Sequence, residues 1–385
     1  MTESIHIKNL GPIKDIHIDN IKPFTVLIGE SGSGKSTLMK AIALFRWLYK
    51  MHNIRSYLKH SKISKSPFRF RMETYLKNCG FEQFIKDNTE IIYSTKYPSG
   101  KSYEIQFKQN KLSGTSNIDL IGEEDIYFNK ISFISETRNI IPLWSDKGSS
   151  FAGGYLGFYF HEVYNDFNLA SENLKELDLK FLNVKFTIKK TNSGKKYSIQ
   201  SDTKDSFDID FKNSSSGTQN SVPISLIAQY FSQSFSFEDA FNRSVLTYLS
   251  NTDDLTNFKA IKNLSDISKK IFIHIEEPEL SLYPDAQTQL INDLINKCFI
   301  SNQNPIELFL STHSPYIINH LNLLIKAFDK DKNIDGAKVN YDKLAVYQVV
   351  EGELQNLIVQ NERLVNTNPL SEIINVIYDQ YNALG

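Results

Sequence analysis

The chain has 385 residues, 43 Lys plus Arg against 44 Asp plus Glu, two cysteines, 41% apolar residues and 23% charged ones. At about 150 residues per domain this allows two or three domains, or one large α/β domain with insertions. The composition excludes wholesale disorder, a collagen-like fibre and a coiled-coil rod, and a net charge of -1 gives no overall sign of a polyanion-binding surface.

Cys79 and Cys298 are far apart and form no CxxC pair, so two reduced thiols are expected rather than a disulfide framework or a zinc site. No apolar run approaches the roughly 18 residues of a membrane span, and the opening MTESIHIKN lacks the basic and apolar regions of a signal peptide. A soluble cytoplasmic protein is expected, with no membrane partner.

The first elements are short strands, with Ile5 and Ile7, then Ile16 and Ile18, alternating around the turn at Gly11-Pro12. FTVLIG (24–29) is the continuous apolar run of a buried strand, and from Thr37 the residues Leu38, Ile42, Phe45 and Leu48 recur at helical spacing. Between them stands GESGSGKST, Gly29 to Thr37, which fits GxxxxGK[ST]. Gly29, Gly32 and Gly34 let the backbone aim successive amides at a polyphosphate. Lys35 supplies charge for the β- and γ-phosphates, the Ser36 hydroxyl suits Mg2+, and the helix start adds its positive dipole. Glu30, Ser31, Ser33 and Thr37 complete the loop expected to hold ATP.

Residues 50–85 read as helical or irregular. EIIYSTKY and SYEIQF (90–107) predict a hairpin around Pro98-Ser99-Gly100, and KISFIS (130–135) a strand. A Gly- and Ser-rich loop (148–154) precedes an aromatic helix expected from Tyr155 to Leu177, and a second hairpin follows over 183–201 around Asn192-Ser193-Gly194. The polar stretch SSSGTQN (214–220), with Ser216 as a candidate helix cap, leads into an apolar helix through Ile224, Ile227 and Phe231.

IFIHIEEPE (271–279) is an apolar strand ending in paired carboxylates, delivered to the edge of the sheet where ligands bind in open α/β folds. Two adjacent acids there suit Glu276 near Mg2+ and Glu277 as the general base that polarises the attacking water. After a helix from Pro284 to Cys298, the strand IELFLS (306–311) ends in Thr312, His313 and Ser314, where His313 can reach a γ-phosphate. A helix from Pro315 to Ala327, a strand LAVYQVV (344–350) and a helix from Ser371 to Tyr381 close the chain. Strands alternating with helices imply a mostly parallel sheet covered on both faces.

The order GESGSGKST, SSSGTQ, IEEPE, STHSP, with the opening IHIKNLGPIKDIHI, resembles the ABC-type ATPase heads of the RecF, SMC and OLD group, often called AAA family ATPases. The resemblance covers residues 1–48 and about 210–325. It implies an α/β P-loop head with N-terminal antiparallel strands and an inserted mainly helical lobe. The implied parts are a core at 1–49, an inserted lobe with hairpins at 50–212, a signature segment at 213–236, a short helical insertion at 237–269 and the rest of the core at 270–385. It further implies ATP hydrolysis with Mg2+ in a homodimer or higher assembly that sandwiches nucleotide, where Ser216, Gly217 and Gln219 act in trans on the opposing γ-phosphate.

Several positions depart from the group's pattern. Thr218 stands where ABC transporters carry a second Gly, Glu276 replaces the usual Asp, Ser281 and Tyr283 stand where many relatives have His, and no convincing glutamine loop is found. ISETRNIIP (134–142) is similar to the segment joining two lobes, placing Glu136 and Arg138 near nucleotide or interface, or in a structural ion pair. The similarity also points to anti-phage defence of the Septu or retron-associated type, with a nuclease or toxin in trans; a RecF-like repair ATPase and an ATP-holding scaffold are the alternatives. The only DxD after His313, Asp329 and Asp331, reads as solvated turn charge rather than part of a nuclease.

Between Glu30 and Glu73 there is no acid but ten bases: Lys35, Lys40, Arg46, Lys50, Arg55, Lys59, Lys62, Lys65, Arg69 and Arg71. Tyr57, Phe68 and Phe70 interleave, as in surfaces that meet phosphate backbones. Lys59, Lys62, Lys65, Arg69 and Arg71 are the candidates for contact with nucleic acid or an acidic protein, a solvated helix face being the other reading.

Overall fold

Alternation in the first residues builds the strand, turn and strand it predicts. Thr2–Leu10 (β1) and Ile13–Ile18 (β2) pair antiparallel, Ile5 opposite Ile18 and Ile7 opposite Ile16, with all four inside. The computed structural model describes residues 1–63, 72–108, 111–114, 120–145, 157–192, 194–201, 207–250, 258 and 266–384.

Phe24–Ile28 (β3) is buried at every position and runs through the glycine loop into Lys35–His60 (α1), a helix that continues ten residues past Lys50 into the stretch read as helical or irregular. After Met72–Asn78 (α2), Ile85–Lys96 (β4) and Ser102–Lys108 (β5) form the first hairpin. It is no separate unit. β4 lies antiparallel along β1, Ile7 opposite Ile91, and with Lys111–Gly114 (β6) the order is β2-β1-β4-β5-β6.

Tyr127–Ile134 (β7) joins β3, Ser268–Glu276 (β12), Ile306–Thr312 (β13) and Leu344–Val350 (β14) in the central sheet. All five are parallel in the order β14-β3-β13-β12-β7, with Glu353–Asn356 (β15) antiparallel at the far edge. The fold is the expected mixed α/β class with a mostly parallel sheet. Among the described residues, however, the segment 50–212 is more strand than helix, because β4 to β6 extend the N-terminal sheet, β7 is a core strand, and a third sheet follows.

After Ile141–Trp144 (α3), Phe158–Asn173 (α4) stops four residues short of the expected Leu177. Leu174 is extended at φ -107°, ψ 144°, and ELDL (176–179) then alternates exposed and buried as the strand Glu176–Leu179 (β8). Val184–Thr191 (β9) and Gly194–Ser201 (β10) are the second hairpin, and Asp208–Asp210 (β11) completes the order β11-β10-β9-β8. Ser216–Gln233 (α5), Phe237–Ser250 (α6), Pro284–Ile295 (α7, ending in a π turn to Ile300), Pro315–Asp329 (α8) and Asn368–Ala383 (α9) are the remaining α-helices among the described residues.

The core lies where α1 packs along β7, β12 and β13, with Leu38, Ile42, Phe45 and Leu48 fully buried. Arg46 is sealed in the same layer at 1% exposure, paired with Glu3 of β1 at 2.8 Å and Glu307 of β13 at 3.2 Å and lying 3.9 Å over the Phe272 ring. A buried guanidinium is tolerable only when so paired. No described helix is long and apolar enough to cross a membrane.

Candidate nucleotide site

The end of β3 sits between β13 and β14, Ile28 opposite Thr312 and Gln348, so the glycine loop emerges at the carboxyl edge of the sheet. Gly29 is obligatory, since a Cβ there would meet the Val349 carbonyl oxygen at 2.6 Å. Gly34 caps α1 at φ 114°, a conformation that side chains disfavour. The first turn of α1 contains no acid, which leaves the positive end of the helix to an anion. Lys35 is buried against the loop and its Nζ donates to the Gly29 and Glu30 carbonyls, both at 2.8 Å. Burial lowers its pKa, with Glu277, Glu279 and Glu30 opposing. Ser31, Gly32 and Ser33 form the turn, Ser36 is exposed beside it, Thr37 is buried, and the Ser33 hydroxyl is buried with no partner.

β12 runs beside β13 in parallel register, Glu276 opposite Ser311, so the acids and the His313 turn leave the sheet together. Glu277 adopts a left-handed φ of 45°. Its N–H donates to the Ser311 carbonyl at 2.8 Å and its own carbonyl accepts from Arg138 Nη2 at 2.5 Å. This turns its half-exposed carboxylate toward His313, whose Nε2 lies 3.3 Å away. The His313 N–H donates to Glu279 Oε1 at 2.6 Å. Sequence reading assigned nothing to Glu279, although it is the third acid of IEEPE; burial pushes its carboxyl up while the His313 amide pulls it down.

Glu276 is 2% exposed, and neither carboxylate oxygen completes a hydrogen bond of good geometry, although the Ser36 and Glu136 side chains lie against it. Lys40 Nζ stands 3.8 Å off. Burial, and next the Glu136 carboxyl, push Glu276 up to about 8, while Glu276 draws Glu136 down. A buried, unsatisfied carboxylate beside a hydroxyl is a donor set that a hard divalent cation takes.

Since the folded-state pKa of Glu276 lies above its value of 4.5 in the unfolded chain, ionising it costs stability as pH rises from 4.5 to about 8, fully above that range. Glu276→Gln removes the cost. In chelator at pH 8.5 we expect a melting midpoint raised by about 1–2 °C for each kcal/mol recovered, and no change at pH 4. A midpoint lowered at both pH values would show the carboxylate to be structurally paired.

The segment around 134–142 belongs to this site. Arg138 is fully buried and donates to four backbone carbonyls: Ser135 at 3.0 Å, Asn220 at 3.2 Å, Glu276 at 2.7 Å and Glu277 at 2.5 Å. It bolts the end of β7 to the end of β12 and to the start of α5. Burial lowers its pKa to about 10, with Glu279 the largest opposing charge.

At the start of α5 the helix cap is Ser215, whose hydroxyl accepts from the Thr218 N–H at 3.3 Å; Ser216, the expected cap, is instead the first helical residue and is exposed. Gly217 is buried against the turn after the acidic strand, where a Cβ would meet the Ser281 carbonyl oxygen at 2.8 Å. The Gln219 amide donates to the Lys212 and Ser214 carbonyls at 2.8 and 2.9 Å. Among the described residues, none of these hydrogen bonds reaches the glycine loop of the same chain.

The run of ten bases does not form one face. Lys35 and Lys40 belong to the site, Arg46 is sealed in the core, and Lys50 lines a cavity behind α1. Tyr57 is also interior, edge-on to Phe128 and Phe241. Lys59 and Lys62 are exposed, whereas Lys65, Arg69 and Arg71, with Phe68 and Phe70, lie outside the described residues. The helix period explains the difference, because a 26-residue helix against a sheet must turn some of its residues inward whatever their charge.

A family model described as AAA ATPase domain matches residues 1–152 and 159–318. No curated protein matches the chain. Among solved structures the chain is similar to the SMC head domain from Thermotoga maritima, at 11% identity and a TM-score of 0.40 over 94% of this chain and 100% of that one. It is similar also to the recombination mediator protein RecF with ATPrS, at 12%, 0.38, 92% and 98%. A third similarity is to a dimeric post-hydrolysis ATP-binding cassette bound to ADP and Pi, at 12%, 0.29, 91% and 96%.

Proposed function

The chain belongs to the AAA ATPase domain family and is an ATP-hydrolysing P-loop enzyme, and we propose that it is an ABC-type head that closes as a dimer on Mg-ATP and so controls an effector on another chain. The observation that carries this is the convergence of the glycine loop, Glu276 and the Glu277–His313 pair at one edge of one sheet.

Lys35 releases the two carbonyls it now holds and binds the β- and γ-phosphate oxygens, which the loop amides and the α1 terminus also receive. Ser36 and Glu276 would hold Mg2+, whose charge would offset that of the phosphates. Glu277 accepts the proton of the attacking water, and His313, 3.3 Å from it, contacts the γ-phosphate. Exposed Ser216, with Gly217 and Gln219, completes the site of the opposing copy. The resemblance of the motif order to defence ATPases supports an anti-phage role with a nuclease or toxin as the effector. Asp329 and Asp331 pair with Arg363 and Lys338, which fits turn charge better than a metal site.

Mixed variants test the shared site. Lys35→Ala disables the loop and Ser216→Arg the signature, so each alone is expected to lose ATP turnover by at least tenfold. An equimolar mixture assembles half of its dimers with one intact composite site, recovering about a quarter of the wild-type rate by symmetry. A mixture as inactive as its components would show that the signature does not act across a dimer. In cells, Lys35-dependent protection against phage supports the defence role, and DNA-damage sensitivity without protection replaces it with repair.

A further inference from the structure

Leu370, Ile374, Ile377, Tyr381 and Leu384 follow one another at spacings of four, three, four and three, along α9 and one residue past its end. These are the a and d positions of a heptad, the seam of paired helices. Leu370 rests on the body of the protein, but every residue from 375 to 384 is exposed. Ile377 is 58% exposed, Tyr381 74% and Leu384 90%, with Tyr378 beside them at 63%. Apolar residues scattered singly over a surface are ordinary, whereas four on one face of one helix mark an interaction site.

Area and charge say what covers this face. At about 200 Å² for a whole side chain of this size, the four expose on the order of 600 Å². Two such faces would remove about 1,200 Å² from water, the lower bound of a specific interface. α9 carries only two charges, Glu372 and Asp379, which stand seven residues apart at one heptad position, on the side of the helix away from the stripe. The positions flanking the stripe, where charges choose the partner of a paired helix, hold Ser371, Ile373, Tyr378 and Gln380. None is charged, so a basic or acidic partner has nothing to read there. A second copy brings the same spacing and meets no like charge across the seam. We propose that α9 pairs with α9 of a second copy about a two-fold axis, an interface that forms without nucleotide and adds to the ATP-closed dimer.

The test is sedimentation velocity of the full chain without nucleotide, over about 1–100 μM protein. We expect a monomer–dimer equilibrium that Lys35→Ala leaves unchanged. Ile377→Lys with Tyr381→Lys is expected to weaken the dimer at least tenfold, while Asn375→Lys with Asn382→Lys, the same charge added off the stripe, changes it by less than threefold. These side chains are exposed in the single chain, so their replacement leaves the fold intact. Mixing the first Lys pair with a chain carrying Ile377→Glu and Tyr381→Glu should restore a dimer that neither forms alone, because the opposite charges meet only if α9 faces α9. A dimer indifferent to the first Lys pair, or a Lys and Glu mixture that stays monomeric, would each overturn the pairing. So would a monomer that binds phosphatidylglycerol vesicles through α9, which would give the face to a lipid surface. A chain monomeric without nucleotide and dimeric with ATP would overturn this inference alone and leave the proposed function standing.

Discussion

Glu277→Gln is expected to cut ATP turnover by about 10²–10⁴-fold, the usual worth of a general base, while nucleotide affinity changes by less than about threefold. The amide keeps the size of the side chain and its approach to His313, but has no basic oxygen for the proton of water. Its aim is unaffected, because the left-handed turn at Glu277 is held through backbone atoms, by Ser311 on one side and Arg138 on the other. Phosphate release and nucleotide binding measured side by side check the split, and light scattering with ATP is expected to show a dimer that persists. Wild-type turnover in this variant would refute the assignment and move the proton to Glu279 or His313.

The second large effect concerns folding. Arg138→Met fills a similar volume but takes the guanidinium from four carbonyls, of which Ser135 keeps the backbone N–H of residue 138 at 3.2 Å, in a place closed to water. Each buried unsatisfied group costs about 1–3 kcal/mol, and partial relaxation leaves a net loss of about 3–5 kcal/mol, as for other broken buried charges. Urea unfolding should show the midpoint lowered with its slope unchanged. Since two of the carbonyls are those of Glu276 and Glu277, turnover should fall further than the loss of folded protein explains, and Arg138→Lys should lie between the two. A loss below about 1 kcal/mol would mean that water reaches the site.

Much of the candidate site was legible because the residues that form it are contiguous in the sequence. Gly29 to Thr37, Glu276 with Glu277, and His313 each sit at the end of a strand that an apolar run announces. Glu136 and Arg138 carried only a weak signal, since what they do depends on Glu276, Glu277 and Asn220, residues about 80 to 140 positions away. Glu279 was missed for a related reason: its partner is a backbone amide of the next strand.

The charge pattern misled in an instructive way. A count of bases along 31–72 cannot tell which side of α1 each one occupies, and the sheet it packs on buried Arg46 while a cavity took Lys50.

By itself the sequence determined the local elements and their punctuation: both hairpins, the glycine loop, the acidic strand and the helices opened by proline at Pro284 and Pro315. These rest on period, turn chemistry and sterics within a few residues. Only the tertiary structure decided that β4 continues β1, that β7 edges the central sheet, and that Arg138 ties the start of α5 to the acidic strand. Strand pairing and the satisfaction of buried charge are settled between residues distant in the chain, where every backbone donor and every ion removed from water must find whatever partner the packing brings.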